Sequence, residues 1–148
     1  MLDNIDIKIL QYLQANGRIK RNKIADLVGL SVPSVSERLN KLEEKGIIEG
    51  YYAKVNRRAF GFDILAFIHV IMDSSKHYDS LISNIDKMAQ ILECHSVLGE
   101  GSHLLKVLVR NTESLEKLLT VIQSWRGVTA TKTTFVLSTI KETTAINI

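Results

Sequence analysis

The feature that most restricts the fold is the spacing of special residues between Ile24 and Leu39. Ala25 is followed four residues on by Gly29, and Val35 comes six residues after that. A small side chain at 25 lets a second helix cross close above it. Glycine at 29 permits a sharp turn, and Val35 with Leu39 offers the apolar surface that locks the crossing. The spacing predicts two helices joined by a tight turn. Upstream, Leu2, Ile5, Ile9, Leu10 and Leu13 recur at helical intervals and stop at Asn16-Gly17, which predicts a preceding helix. The second helix is expected over residues 20–28, with Ile24, Leu27 and Val28 inward. The third is expected from Ser31 as N-cap, with Pro33 in its first turn, Val35, Leu39 and Leu42 buried and Gly46 as its end.

Charge suggests what such a bihelical unit meets. Residues 1–60 hold 11 Lys/Arg against 7 Asp/Glu, whereas residues 61–148 hold 8 against 9. A basic first part suits an anionic partner, although a solvated basic surface has the same composition. With Val35, Leu39 and Leu42 turned inward at about 100° per residue, the outward face of the third helix carries Pro33, Ser34, Glu37, Asn40 and Lys41. Arg38 and Ser36 lie on its flanks, and Ser31 stands at its start. These eight residues are the candidate contacts to double-stranded DNA. Ser34, Arg38 and Asn40 suit base edges or phosphates and Lys41 suits phosphate. Glu37 is repelled by phosphate unless it pairs with Lys41 or accepts from cytosine N4.

After Gly46 the composition turns β-rich. Residues 47–55 read as a short wing or linking strand, and the domain boundary falls here: 1–50 as the helix-turn-helix domain, 51–63 as a linker strand, 64–148 as a second domain. In that domain a strand (64–72), a helix (77–88), two strands around a glycine turn (91–98 and 103–109), a helix (114–125) and a strand (128–140) follow one another. The order βαββαβ is the ferredoxin-like arrangement, so the fold class is α+β. Its two helices can cover only one sheet face, which predicts a dimer across the other. With 45% hydrophobic residues the chain can bury a real core. Its apolar runs are too short to span a bilayer and its start lacks signal-peptide features, so a cytoplasmic protein without membrane contact is expected. No cofactor and no metal-ligand set is expected. Cys94 with His95 and His103 lacks an oxyanion hole and an orienting acid, so no enzyme is read from them.

Three stretches together resemble the Lrp/AsnC, or feast/famine, family of transcription regulators. They are Leu2-Asp3-Asn4-Ile5-Asp6, then Ile24-Ala25, then Val35-Ser36-Glu37-Arg38-Leu39-Asn40-Lys41-Leu42-Glu43-Glu44-Lys45-Gly46-Ile47-Ile48. Gly99 before Leu104-Leu105-Lys106-Val107 and a closing strand at 133–141 fit as well, so the resemblance covers essentially the whole chain. It implies a winged helix-turn-helix followed by a βαββαβ (RAM) domain that pairs into dimers, assembles octamers and binds amino acids or related metabolites between dimers. It further implies effector contacts at Gly99, Glu100, Gly101, Ser102, His103 and Leu104, and at Thr131, Thr133 and Thr134 from a neighbouring subunit. The chain departs from the family pattern Gly-x-x-Asp-x-Leu, because Ser102 stands where the acid is usual. Glu100 can replace the charge, and glycine N–H groups can hold a carboxylate. The same residues also make an ordinary hairpin turn. Two other readings are open: an architectural DNA-binding protein with little sequence specificity and no effector, and an enzyme on a ferredoxin-like fold. The second is disfavoured by the lack of an acid/base set.

Overall fold

Asp3 starts the first helix. In the computed structural model, which describes residues 2–148, its carboxylate accepts from the N–H groups of Ile5 and Asp6 at 2.9 and 2.8 Å, and Asp6 returns the bond by accepting from Asp3 N–H at 3.1 Å. This reciprocal cap satisfies N–H groups that a helix start leaves without partners. Helix α1 (Asn4–Ala15), α2 (Arg21–Val28) and α3 (Val32–Glu44) follow as the spacing predicts. Gly29 adopts the left-handed conformation, φ 71°, that a side chain would resist, and Leu30 N–H then closes the turn on Ala25 O at 3.0 Å. Ile9, Ile24, Ala25, Val35 and Leu39 form the core of this unit. Each large aliphatic side chain so buried contributes roughly 1.5–3 kcal/mol.

The chain forms two compact units. One holds the sequence up to Lys54 together with Lys141–Ile148; the other is Val55–Ile140. The expected linker strand at 51–63 is not found. Residues 49–56 have no ladder partner among the described residues, and Arg57–Phe60 is a short 3₁₀ helix capped by Asn56 and ended by Gly61. β-rich composition does not make a strand without a neighbour to bond. The expected second-domain limit of 148 also moves, because residues 141–148 return to the first unit: Gln11 Nε2 donates to Ile148 O at 2.8 Å and Lys54 pairs with Glu142 at 2.7 Å.

The second unit runs β1 (Ile64–Met72), α4 (Tyr78–Ile85), β2 (Ile91–Ser96), β3 (His103–Val109), α5 (Thr112–Gln123) and β4 (Val128–Phe135). This is the expected βαββαβ order, in an antiparallel sheet arranged β2-β3-β1-β4. β4 stops short of residue 140. After Phe135 one more bond, Val136 N–H to Leu65 O, brings it to the start of β1, and the partner ends. Ala66, Ile68, Val70, Leu105 and Val107 turn to one face and pack with Leu81, Ile85, Leu118 and Ile122 of the helices. Strand alternation sends Leu65, Phe67, His69, Leu104 and Lys106 to the other face, away from α4 and α5, where Leu65 is buried and the other four are half-buried.

Candidate nucleic-acid interface and effector loop

Ser31 caps α3 by accepting from Ser34 N–H at 3.3 Å, and the two hydroxyls lie 2.8 Å apart, so both are engaged in starting the helix. Pro33, Glu37, Asn40 and Lys41 are exposed, as the helical projection requires; Ser34 and Ser36 are half-buried, and Ser36 Oγ accepts from Arg21 Nη1 at 3.2 Å. Lys41 Nζ and Glu37 Oε1 are 2.6 Å apart one turn along the helix. The lysine holds the Glu37 carboxyl below its ordinary pKa and offsets its charge, while Glu44, seven residues on, is a second exposed acid on the same face. Asn40 is exposed, and among the described residues its side chain has no hydrogen-bond partner.

Arg38, expected on the flank as a DNA contact, is engaged within the unit. Its guanidinium turns to the first turn of α1, where Nη1 lies 2.7 Å from Asp3 Oδ2 and 2.7 Å from Asp6 Oδ1. The Asp6 N–H and then Arg38 hold the Asp3 carboxyl below its usual range. Beside this triad a cavity of about 560 Å³ runs along the flank of α3, with Asp6, Ser34, Glu37, Arg38, Lys41 and Lys45 among its walls. Projection placed Arg38 on a flank but could not reveal partners more than thirty residues away.

The loop between β2 and β3 folds back on β1. Gly99 and Gly101 take φ values of 129° and 79°. Ser102 N–H donates to Val70 O at 2.9 Å. Glu100 pairs with Lys132 on β4, which lowers the pKa of its carboxyl, and Glu100 O lies 2.9 Å from His69 Nδ1. Ladder pairing puts His69 between Leu104 and Lys132, so these residues share the open face with the loop. The other expected effector residues divide. Thr134 pairs with Phe67 and lies on the open face, whereas Thr131 and Thr133 pair with Val70 and Ile68 of the helix-covered face. Thr131 Oγ1 accepts from Gln123 Nε2 of α5 at 2.8 Å. His103 is buried on that same covered face, edge-on to Tyr78 at 4.8 Å, with Ser102 Oγ 2.8 Å from its Nδ1. Sequence reasoning missed Lys132. Counting in twos along β1 and β4 gives the face of each residue but not which residues stand opposite each other.

A three-helix unit that presents a polar α3, joined to an antiparallel βαββαβ unit with a charged hairpin loop, defines a class of two-part regulator. Comparisons with known proteins agree. Residues 2–49 match the winged helix-turn-helix DNA-binding family and residues 65–146 match the Lrp/AsnC ligand binding domain. The HTH-type transcriptional regulator FL11 of Pyrococcus furiosus is 35% identical over 146 residues, 99% of this chain and 96% of the relative. LrpA of Mycobacterium tuberculosis is 33% identical over 138 residues, 93% of this chain and 91% of the relative. Among solved structures, a Neisseria meningitidis transcriptional regulator in complex with L-methionine superposes with a TM-score of 0.93 at 31% identity, covering 99% of this chain and 97% of that one. The AsnC protein of E. coli superposes at 0.91 and 29% identity, over 98% of each chain. The chain belongs to the Lrp/AsnC family of transcriptional regulators. Relatives named as regulators do not favour the architectural alternative.

Proposed function

We propose that the protein regulates transcription by laying α3 in the major groove of duplex DNA, reading sequence there, and answering to a small metabolite. The observation that carries this reading is the outward face of α3: an exposed Asn40 with no side-chain bond among the described residues, flanked by Pro33, Ser34, Glu37 and Lys41, on a helix whose opposite face is core. A free carboxamide matches adenine N6 and N7, Glu37 can accept from cytosine N4, and Lys41 reaches phosphate once released from Glu37. Ser31 is engaged in capping α3 and Ser36 accepts from Arg21 of α2, so both serve chiefly to hold the helix.

The second unit assembles copies and senses the effector. Phe67 and Leu104 on the uncovered face seed a two-fold dimer, which presents two α3 helices to half-sites a helical turn or a multiple of it apart; association of dimers gives the octamer. Solved relatives in complex with L-methionine support a carboxylate-bearing metabolite; its proposed site is the 99–104 loop with Thr134, and the protein acts in the cytoplasm. Glu100 is paired with Lys132 and Ser102 is engaged by its neighbours, so an ammonium group gains less here than at a free carboxylate. The test is fluorescence anisotropy on the region upstream of the protein's own coding sequence against random DNA, repeated with each of the twenty amino acids. A preference of about a thousandfold or more that shifts with at least one amino acid is expected. Equal affinity for both DNAs under all conditions overturns the reading.

A further inference from the structure

We infer that Arg38 is a positioning residue for DNA recognition: anchored to Asp3 and Asp6 of α1, it fixes the rotation of α3 about its own axis and so the aim of Ser34, Glu37, Asn40 and Lys41 at the bases. The inference rests on the reading of α3 as the recognition helix, and it removes Arg38 from the residues that touch DNA.

Three observations carry it. Apolar contacts at Val35, Leu39 and Leu42 hold α3 against its neighbours and set its crossing, while the hydrophobic driving force itself is non-directional, so a directed polar contact sharpens the rotation of the helix. On the Arg38 flank, packing is further reduced by the cavity of about 560 Å³. Across that gap the only side-chain hydrogen bonds between α1 and α3 among the described residues are those of Arg38 to Asp3 and Asp6, both at 2.7 Å. The carboxylates are themselves fixed, because each belongs to the reciprocal cap of α1. A charged donor held between two immobile acceptors sets a direction as well as a distance.

The lever is short but sufficient. With side chains a helix is about 10–12 Å across, so a roll of about 10° moves an outer atom by about 1 Å. Good hydrogen bonds occupy a range of about 0.5 Å, so a base contact is lost within such a roll. Electrostatics argues against the alternative in which Arg38 grips phosphate. Arg38, Asp3 and Asp6 together carry a net negative charge, which the positive end of α1 only partly offsets, and a net negative cluster does not draw a phosphate.

This gives a test in which two accounts predict opposite signs. A fragment is selected by the wild-type protein from a random-sequence pool. Its affinity and that of random DNA are then measured over a range of salt for wild type, Arg38→Ala, Arg38→Lys, the double variant Asp3→Asn/Asp6→Asn, and the triple combination with Arg38→Ala, at a temperature where urea titration shows each to be folded. Removing two carboxylates near DNA strengthens all binding if only charge matters. On the positioning account it lowers the ratio of selected to random affinity about tenfold, the scale of one lost base contact. Arg38→Ala lowers the ratio equally, adds nothing in the triple variant, and leaves the salt slope as in wild type. Arg38→Lys, which keeps one bond to α1, restores part of the ratio. The inference falls if Arg38→Ala flattens the slope by about 0.9 and weakens both DNAs alike, since Arg38 then contacts phosphate. It also falls if the variants lose stability with no change in ratio. If wild type selects no fragment at all, the reading of α3 falls with it.

Discussion

Gln14 and Ile146 hold each other through a single carboxamide. Ile146 N–H donates to Gln14 Oε1 at 2.7 Å, and Gln14 Nε2 donates back to Ile146 O at 3.0 Å. One side chain on α1 thus imitates the edge of a strand for a segment that has no ladder of its own. Gln14→Leu removes both bonds and keeps the bulk. Residues 142–148 are then expected to exchange amide hydrogen several-fold faster by mass spectrometry, while the unfolding free energy changes by no more than about 1–2 kcal/mol, as exposed hydrogen bonds contribute little. Unchanged exchange would show that the tail is held by other contacts.

Gly101 stands against the backbone of β1. A Cβ there would lie 2.7 Å from Val70 O with φ at 79°, whereas at Gly99, φ 129°, a Cβ meets nothing within 4 Å. Gly101→Ala therefore combines backbone strain with a clash that no rotamer relieves, and Gly99→Ala has the strain alone. Urea unfolding is expected to show Gly101→Ala losing about 2–4 kcal/mol and Gly99→Ala about half as much. Equal losses would mean that the loop shifts to admit the methyl group.

The helices were legible because their signals are local. Gly29, Ser31 and Pro33 act on the turn they occupy, and the inward set Val35, Leu39 and Leu42 follows from period alone. The βαββαβ order was legible for the same reason, strand by strand. What stayed hidden depends on partners distant in sequence. Residues 47–55 have strand-forming side chains but no strand to pair with among the described residues, and β4 ends where β1 begins. The return of 141–148 rests on Gln11 and Gln14, two residues that read as ordinary helix surface. A helical projection puts Arg38 on a flank as a candidate DNA contact, and it does not contain Asp3 and Asp6. The resemblance groups Thr131, Thr133 and Thr134, whereas strand alternation separates Thr134 from the other two, and only the register shows that Thr134 stands opposite Phe67.

Burial lowers the pKa of His103 below its ordinary 6.5, so the folded protein keeps this imidazole neutral while the unfolded chain protonates it. The unfolded state binds more protons below about pH 6.5, and stability falls as pH drops from there through the folded value. For one proton the slope is at most about 1.4 kcal/mol per pH unit. Carboxyls held low, such as Asp3, Glu93 and Glu100, lose their contribution only at more acid pH, below about 4.5. Chemical denaturation between pH 7.5 and 5 is expected to show this fall in wild type and a flatter profile in His103→Gln; parallel profiles would assign the slope elsewhere.

Phe67 lies on the uncovered sheet face between Lys106 and Thr134. If that face is the dimer contact, Phe67→Glu buries an unpaired charge at its centre. Light scattering at micromolar concentration is expected to give a dimer or larger assembly for wild type and a monomer for the variant. A monomeric wild type would contradict the assembly.

The most direct measurement is nuclease protection of the DNA upstream of the protein's own coding sequence, with wild type and with Asn40→Ala/Lys41→Ala. Both residues are exposed on α3 and outside the core, so the variant should fold as wild type does. Wild type is expected to protect discrete sites spaced by whole helical turns. The variant should lose them at the same concentration, from about 1–3 kcal/mol of lost base contact at Asn40 and a weaker, sequence-independent loss at Lys41. Identical protection by wild type and folded variant would contradict the assignment of α3 as the helix that reads DNA.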